Sequence, residues 1–336
     1  MSNHFKWCRW VKTHRHYFCI GEELVTLLIQ RLLDGLFNGS IYAALAVAIA
    51  ISHRATGRVN LAQGEIGLFG GYLALAMASP AASFVAGAAL FSNLPGHPFH
   101  LWISTLLAVI VAAVLAVALQ RALMRDFDES TPQRALNRSI ALLICVSAVI
   151  SSQWGTRGRI FGELFPSGSN DFVSVFGARL RYTTIGAWVV VIIACGLVTL
   201  FLSKTKAGLS FRALTDNRAS SVLVGIQPKK LMAIGWGISG ALAALAASLA
   251  ASMSLLDSSL MFRTLIYSLA AVTLGGFDSL RGAVIGGIIV AQAQTLIPGY
   301  LGLPTEMSIV AALIVLITVL VFRPWGLFGQ RPVERV

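Results

Sequence analysis

The chain is a succession of apolar runs, most of them close to the roughly 20 residues a helix needs to cross the hydrocarbon of a bilayer. A transmembrane β-barrel would instead show short alternating segments. The runs lie near 35–52, 64–89, 101–122, 138–155, 183–203, 233–254, 264–298 and 306–322. The expected fold class is therefore all-α, a polytopic helical membrane protein with about eight to nine transmembrane helices. Composition agrees. Of 336 residues, 56% are hydrophobic and 12% charged, where a soluble domain carries about 25% charged residues. A water-soluble enzyme is excluded.

The seventh run, 264–298, is interrupted by Gly275, Gly276, Asp278, Arg281 and Gly282, followed by Gly286 and Gly287. This broken, glycine-rich span reads as two short or discontinuous helices around a polar turn. Asp278 and Arg281 are placed to pair across that turn, which would lower the cost of holding both near the membrane.

Charge sets the orientation. Lys and Arg total 26 against 14 acids, a net charge of +12, but the basic residues are dispersed in short clusters between apolar runs. That is the pattern of cytoplasmic loops rather than of a DNA-binding face, so no nucleic acid partner is expected. The loop 204–232 holds Lys204, Lys206, Arg212, Arg218, Lys229 and Lys230 against Asp216, and is placed in the cytoplasm. Counting crossings from it puts Arg54 and Arg58, the 121–138 loop and the C-terminal tail 324–336 inside as well. Two stretches fit poorly: 155–181, with four arginines, and the basic tail 1–23 both fall outside. The tail would fit if residues 24–33 dipped into the membrane or if one assigned span were re-entrant. The membrane-embedded body is then 24–323.

The tail mixes Lys6, Arg9, Lys12 and Arg15 with aromatic residues and reads as an interfacial segment in contact with membrane lipid. Its His4, Cys8, His14, His16 and Cys19 match no standard zinc spacing, so no metal site is expected. Trp102, Trp154, Trp188 and Trp325 lie near span ends and read as an aromatic belt.

Three polar stretches carry the functional reading. Asn60, Gln63, Gly64 and Glu65 stand at the mouth of an apolar helix, where amides and a carboxylate either face a solute or cap the helix. In the basic loop, Leu209, Leu214, Val222 and Leu223 have roughly helical spacing between Gly208 and Gly225. That pattern suits either an amphipathic helix able to receive a push from a soluble motor or a lipid-headgroup loop. The third stretch is the 275–287 turn. No lysine follows a glycine anywhere, so the chain has no phosphate-cradling P-loop, and HExxH and GxSxG are absent too. Any ATP hydrolysis must come from another subunit.

Taken in order, these stretches resemble the membrane subunits of branched-chain amino acid ABC importers, specifically the LivH type. The likeness includes Gly35 to Tyr42, His53 to Gly71, Gly208 to Ile226, Leu274 to Gly287 and Phe322 to Gly329. Leu61, Gly71, Ser220 and Ser221 depart from the usual pattern.

The resemblance implies a permease in the inner (plasma) membrane, working with two cytoplasmic ATP-binding subunits that hold ATP and Mg. It further implies a second, LivM-like permease and an extracytoplasmic solute-binding protein, with no cofactor on this chain. It makes Gly208, Arg212, Ala213 and Gly225 the ATPase coupling loop, and Asn60, Gln63, Gly64 and Glu65 the border of the substrate pathway. Urea, amides and other small organic solutes remain alternative cargoes. An ion-coupled secondary transporter using Asp34, Glu65, Asp257 or Glu306 is the rival class.

Overall fold

The computed structural model describes residues 15–79, 98–123, 131–168, 170–175, 177–216, 218–302, 304 and 307–329; the side chains of residues 15–24, 132 and 216–219 are excepted. The zinc-like cluster of the tail and Glu306 lie outside these residues. Eleven helices and one hairpin are present among them.

The first helix, α1 (Arg15–Thr56), is unbroken over 42 residues, about 63 Å at the α-helical rise. Residues 24–33 therefore do not dip and return, which removes that way of bringing the basic tail inside. The helix crosses once and overshoots a hydrocarbon core of roughly 30 Å. Its outer part is held by Gln30, which accepts from the Arg179 N–H at 2.7 Å and donates to the Arg179 carbonyl at 3.3 Å. Arg179 belongs to β2 (Ala178–Arg181), which pairs antiparallel with β1 (Phe172–Val175). The 155–181 segment also bridges Arg159 to Leu256 through two backbone hydrogen bonds of 3.0 and 2.9 Å. The arginine-bearing loop thus sits at the end opposite the basic 204–232 loop, as crossing parity requires. Arg159 donates to the Trp154 carbonyl and Arg179 lies over the Phe172 ring.

The inner half of α1 is the axis of the molecule. From Ile41 to Ser52 every residue is buried, and most are Ala, Ile or Val. Against it pack α5 (Tyr182–Lys204), α8 (Pro228–Ala251), α9 (Leu260–Gly275) and α10 (Leu280–Leu301), while α2 (Gln63–Ala78) and α3 (Leu101–Leu123) pack on α8, α4 (Pro132–Trp154) packs on α2, and α11 (Ser308–Phe322) packs on α9 and α10. Small residues set the approach. A Cβ on Gly67 would lie 2.6 Å from the Ala243 carbonyl oxygen, and one on Gly287 would lie 2.7 Å from the Ala43 nitrogen. Without water to reward burial of bulk, membrane helices associate through such close packing.

The interrupted seventh span is a hairpin of two complete helices. Gly282 faces the Gly275 backbone and Gly286 the Ala271 carbonyl, each too close for any side chain. Gly276 turns the chain at φ +96°, and Ser279 caps α10 by accepting from the Gly282 N–H at 3.0 Å. Residues 323–329 fold beneath it. Leu327 and Phe328 donate to the carbonyls of Leu274 and Gly275, satisfying the end of α9.

The aromatic belt is a different structure from the one expected. Trp154 is buried and stacked on Tyr72, while Trp102 and Trp188 donate to the carbonyls of Leu164 and Leu36. Their amphipathic rings join elements instead of lying free at the interface: the Trp102 and Trp188 N–H groups each find a carbonyl on another segment, whereas Trp154 is held by ring stacking and its buried N–H has no hydrogen-bond partner among the described residues.

Candidate functional site

At the outer half of the bundle α1, α8, α9, α10 and α11 diverge around a cavity of about 710 Å³. Its apolar wall is made by Phe37, Ile41, Met253, Leu260 and Ile309. Its polar side is made by Asn38, Tyr42, Thr264, Tyr267 and Gln294. Tyr42 stacks on Tyr267 with ring centroids 5.0 Å apart and donates its hydroxyl to Gln294 Oε1 at 2.6 Å. The Gln294 carbonyl is thereby engaged, and its amide nitrogen is left to donate toward the cavity. Arg263 also lines this space, more than half exposed, 3.7 Å from Asp257. A second space of about 370 Å³ adjoins it through Asn38, Gln294 and Ser308 and reaches Arg31 and Asp34. No motif in the sequence singles out these residues; the one signal that points to them is that they are polar residues inside apolar spans, and nothing in their spacing joins Asn38 to Arg263 or Gln294.

The Asn60 to Glu65 stretch lies deeper, at the cytoplasmic mouth of α2. Asn60 accepts from the Ala62 N–H at 3.1 Å and donates to Gln63 Oε1, which also accepts from the Ser239 hydroxyl at 3.0 Å. A Cβ on Gly64 would stand 3.1 Å from the Met261 carbonyl oxygen. Asn60, Gln63 and Glu65 are all at most 3% exposed. The cluster therefore fixes the turn that leads into α2 and joins α2 to α8, with Gly64 against α9, and it lines none of the cavities described above. Two of its atoms, Gln63 Nε2 and Glu65 Oε2, are buried without a hydrogen-bond partner.

The 204–227 segment folds as α6 (Lys206–Asp216) and α7 (Arg218–Leu223), so its helical spacing is realised. Phe211 and Leu214 are buried, Phe211 beside Gly235 of α8. Gly208 packs on the carbonyls of Phe201 and Leu202 and donates its N–H to Thr205 Oγ1 at 3.0 Å. Ser221 ties α7 back to the Ala213 carbonyl at 2.8 Å, and Gly225 leaves the segment at φ +86°. The outward face carries exposed Leu209, Leu223 and Val224 together with Arg212, which reaches the Ser203 carbonyl.

Against this segment lies a junction lined by His53, Arg54, Arg58, Leu214, Thr215 and Asp278. His53 packs on Phe277 with centroids 4.7 Å apart. The turn between α9 and α10 therefore meets α6 and the end of α1 in one place. Asp278 faces this junction, whereas Arg281 faces a groove beside α5. Among the described residues no ion pair joins them, because the tight turn sends the two side chains to opposite sides.

The family described as branched-chain amino acid transport system, permease component, matches residues 31–320, which takes in every helix from the inner part of α1 to α11. The chain belongs to this family. Among curated relatives, this permease is 29% identical to the high-affinity branched-chain amino acid transport system permease protein BraD of Pseudomonas aeruginosa, over 92% of this chain and 98% of that one. It is 27% identical to LivH of Salmonella typhimurium, covering 94% of this chain and all of the relative. It is also 29% identical to the fructose import permease protein FruF of Bifidobacterium longum, over 62% of this chain and 59% of that one. The permease is a multi-pass protein of the inner membrane, a membrane subunit of an ABC importer.

Proposed function

We propose that the permease passes branched-chain or related amino acids through the outer cavity and past the Asn60 to Glu65 cluster. The observation that carries this is the make-up of the cavity: an apolar wall for an aliphatic side chain, opposed by amide, hydroxyl and guanidinium groups for a zwitterionic head. Arg263 is the natural partner for a carboxylate. Asn60, Gln63, Gly64 and Glu65 close the route in this conformation. Their two orphaned polar atoms gain partners, water or solute, when α2 parts from α8 and α9.

Energy enters at α6 and α7. Gly208, Arg212, Ala213 and Gly225 shape a face whose exposed Leu223 and Val224 call for a protein partner. Two cytoplasmic ATPases holding ATP and Mg would press on it, a second, LivM-like permease would complete the path, and an extracytoplasmic binding protein would deliver solute. Movement of α6 would be felt at the His53, Phe277 and Asp278 junction and through α8, which follows directly in the chain. Access would alternate between the two sides with no covalent chemistry on this chain.

Reconstitution of the permease with its ATPases, second permease and binding protein in proteoliposomes tests this. ATP-dependent uptake of leucine, isoleucine or valine is expected. Uptake of urea, an amide or fructose instead would move the substrate assignment, and gradient-driven uptake by this chain alone would overturn the importer mechanism. Arg212→Glu should abolish ATP-driven uptake by at least tenfold while the protein still elutes as a single folded species. Undiminished uptake would remove Arg212 from the coupling face.

A further inference from the structure

α5 and α10 both pack against α1 but barely touch each other. At the outer end Trp188 ties α5 to α1 by donating its indole N–H to the Leu36 carbonyl at 2.9 Å, and a Cβ on Gly39 would meet both its ring and Ile288 of α10. Farther in, the two helices leave open space between them. A Cβ placed on Gly196 meets no atom within 4 Å. The gap opens there into a groove of about 640 Å³, floored by Val47 and walled by Ile192, Leu200, Val284 and Ile285.

The cytoplasmic end of this groove is positive. Arg281, in the first turn of α10, lines it, is exposed, and has neither ion pair nor hydrogen bond among the described residues. Lys204 ends α5 at the same level, and Arg212 donates to the carbonyl of Ser203, another lining residue. The positive end of the α10 dipole adds to this field. An apolar trough in the membrane that ends in an unpaired guanidinium at the cytoplasmic interface matches one kind of molecule, with a hydrocarbon tail and an anionic head.

We propose that this groove is a binding site for one anionic phospholipid, its acyl chain along α5 and α10 and its phosphate at Arg281. A free phosphate would find no use for the apolar walls, and a zwitterionic lipid would leave the basic rim without a net counter-charge. The lipid would then lie beside α6 and the α9–α10 turn, in contact with the elements that carry the coupling segment.

The test uses the complete importer in mild detergent and a phosphatidylglycerol with a photoactivatable acyl chain. Crosslinks are expected on residues 192–203 and 284–285. Unlabelled phosphatidylglycerol should displace the probe roughly fivefold better than phosphatidylcholine, the order expected for one basic side chain near a membrane surface. Arg281→Gln should erase that preference, Arg281→Lys should keep it, and Gly196→Leu, which fills the groove, should suppress labelling altogether. The site is wrong if the two lipids compete equally on the wild type, if the preference survives Arg281→Gln, if labelling survives Gly196→Leu, or if this surface crosslinks to a polypeptide instead. Should Arg281→Gln fail to assemble, the wild-type competition and the Arg281→Lys variant decide the matter.

Discussion

α8 and α5 are both apolar helices of membrane-spanning length, 24 and 23 residues, yet 78% of the most apolar stretch of α8 is buried against 22% in α5. The difference lies in side-chain size. α8 is built from Ala, Gly and Ser and lies among α1, α2 and α3, whereas α5 is built from Val, Ile and Leu and turns most of them outward. In water the bulky helix would be the buried one. In lipid, bulk gains little by leaving the hydrocarbon, and close backbone approach wins. α11 follows α5, with Ile314, Ile317 and Val321 exposed.

Gly67→Leu should break this contrast most severely, because its side chain would be driven into the Ala243 backbone. A loss of about 3 kcal/mol or more is expected, seen as aggregation in size-exclusion chromatography, and a well-behaved variant would refute the close-packing account. Gln63→Leu keeps the interior filled but removes the acceptor shared by Asn60 and Ser239. We expect about 1–3 kcal/mol of destabilisation and a fall in uptake of more than tenfold; normal transport at reduced stability would make the cluster a cap and nothing more. At the cavity mouth, Arg263→Gln should raise the half-saturating substrate level about tenfold, the value of one charge-assisted contact, with the melting temperature unchanged. An unaltered uptake curve would take Arg263 out of solute binding. The smallest effect belongs to α5. Ile192→Ala at a 62% exposed position should shift stability by less than about 0.5 kcal/mol, and a larger shift in thermal unfolding would mean that protein, not lipid, covers that face.

Much of the plan was legible in the chain. Apolar run lengths marked the spans, and the glycines at 275, 276, 282 and 286 announced the break between α9 and α10. Leu214 and the glycines at 208 and 225 foretold the helices of the 204–227 segment. The cavity was not legible, since Asn38, Tyr42, Arg263, Tyr267 and Gln294 come from three helices whose rotations no local pattern records. The partnership of Asp278 and Arg281 was misread for a related reason. Three residues apart they look paired, but the Ser279 cap stands between them, leaving Asp278 in the turn that begins at Gly276 and Arg281 in the first turn of α10, on different sides.

The sequence by itself determined that this is a helical membrane protein, which end carries the basic loops, and to which family it is similar, because run length, charge placement and motif order are local properties of the chain. Tertiary structure decided which helices are interior, that Asn60, Gln63 and Glu65 form a closed buried cluster, and where the cavity lies. Those depend on how closely two backbones approach, a property of pairs of helices that only packing expresses.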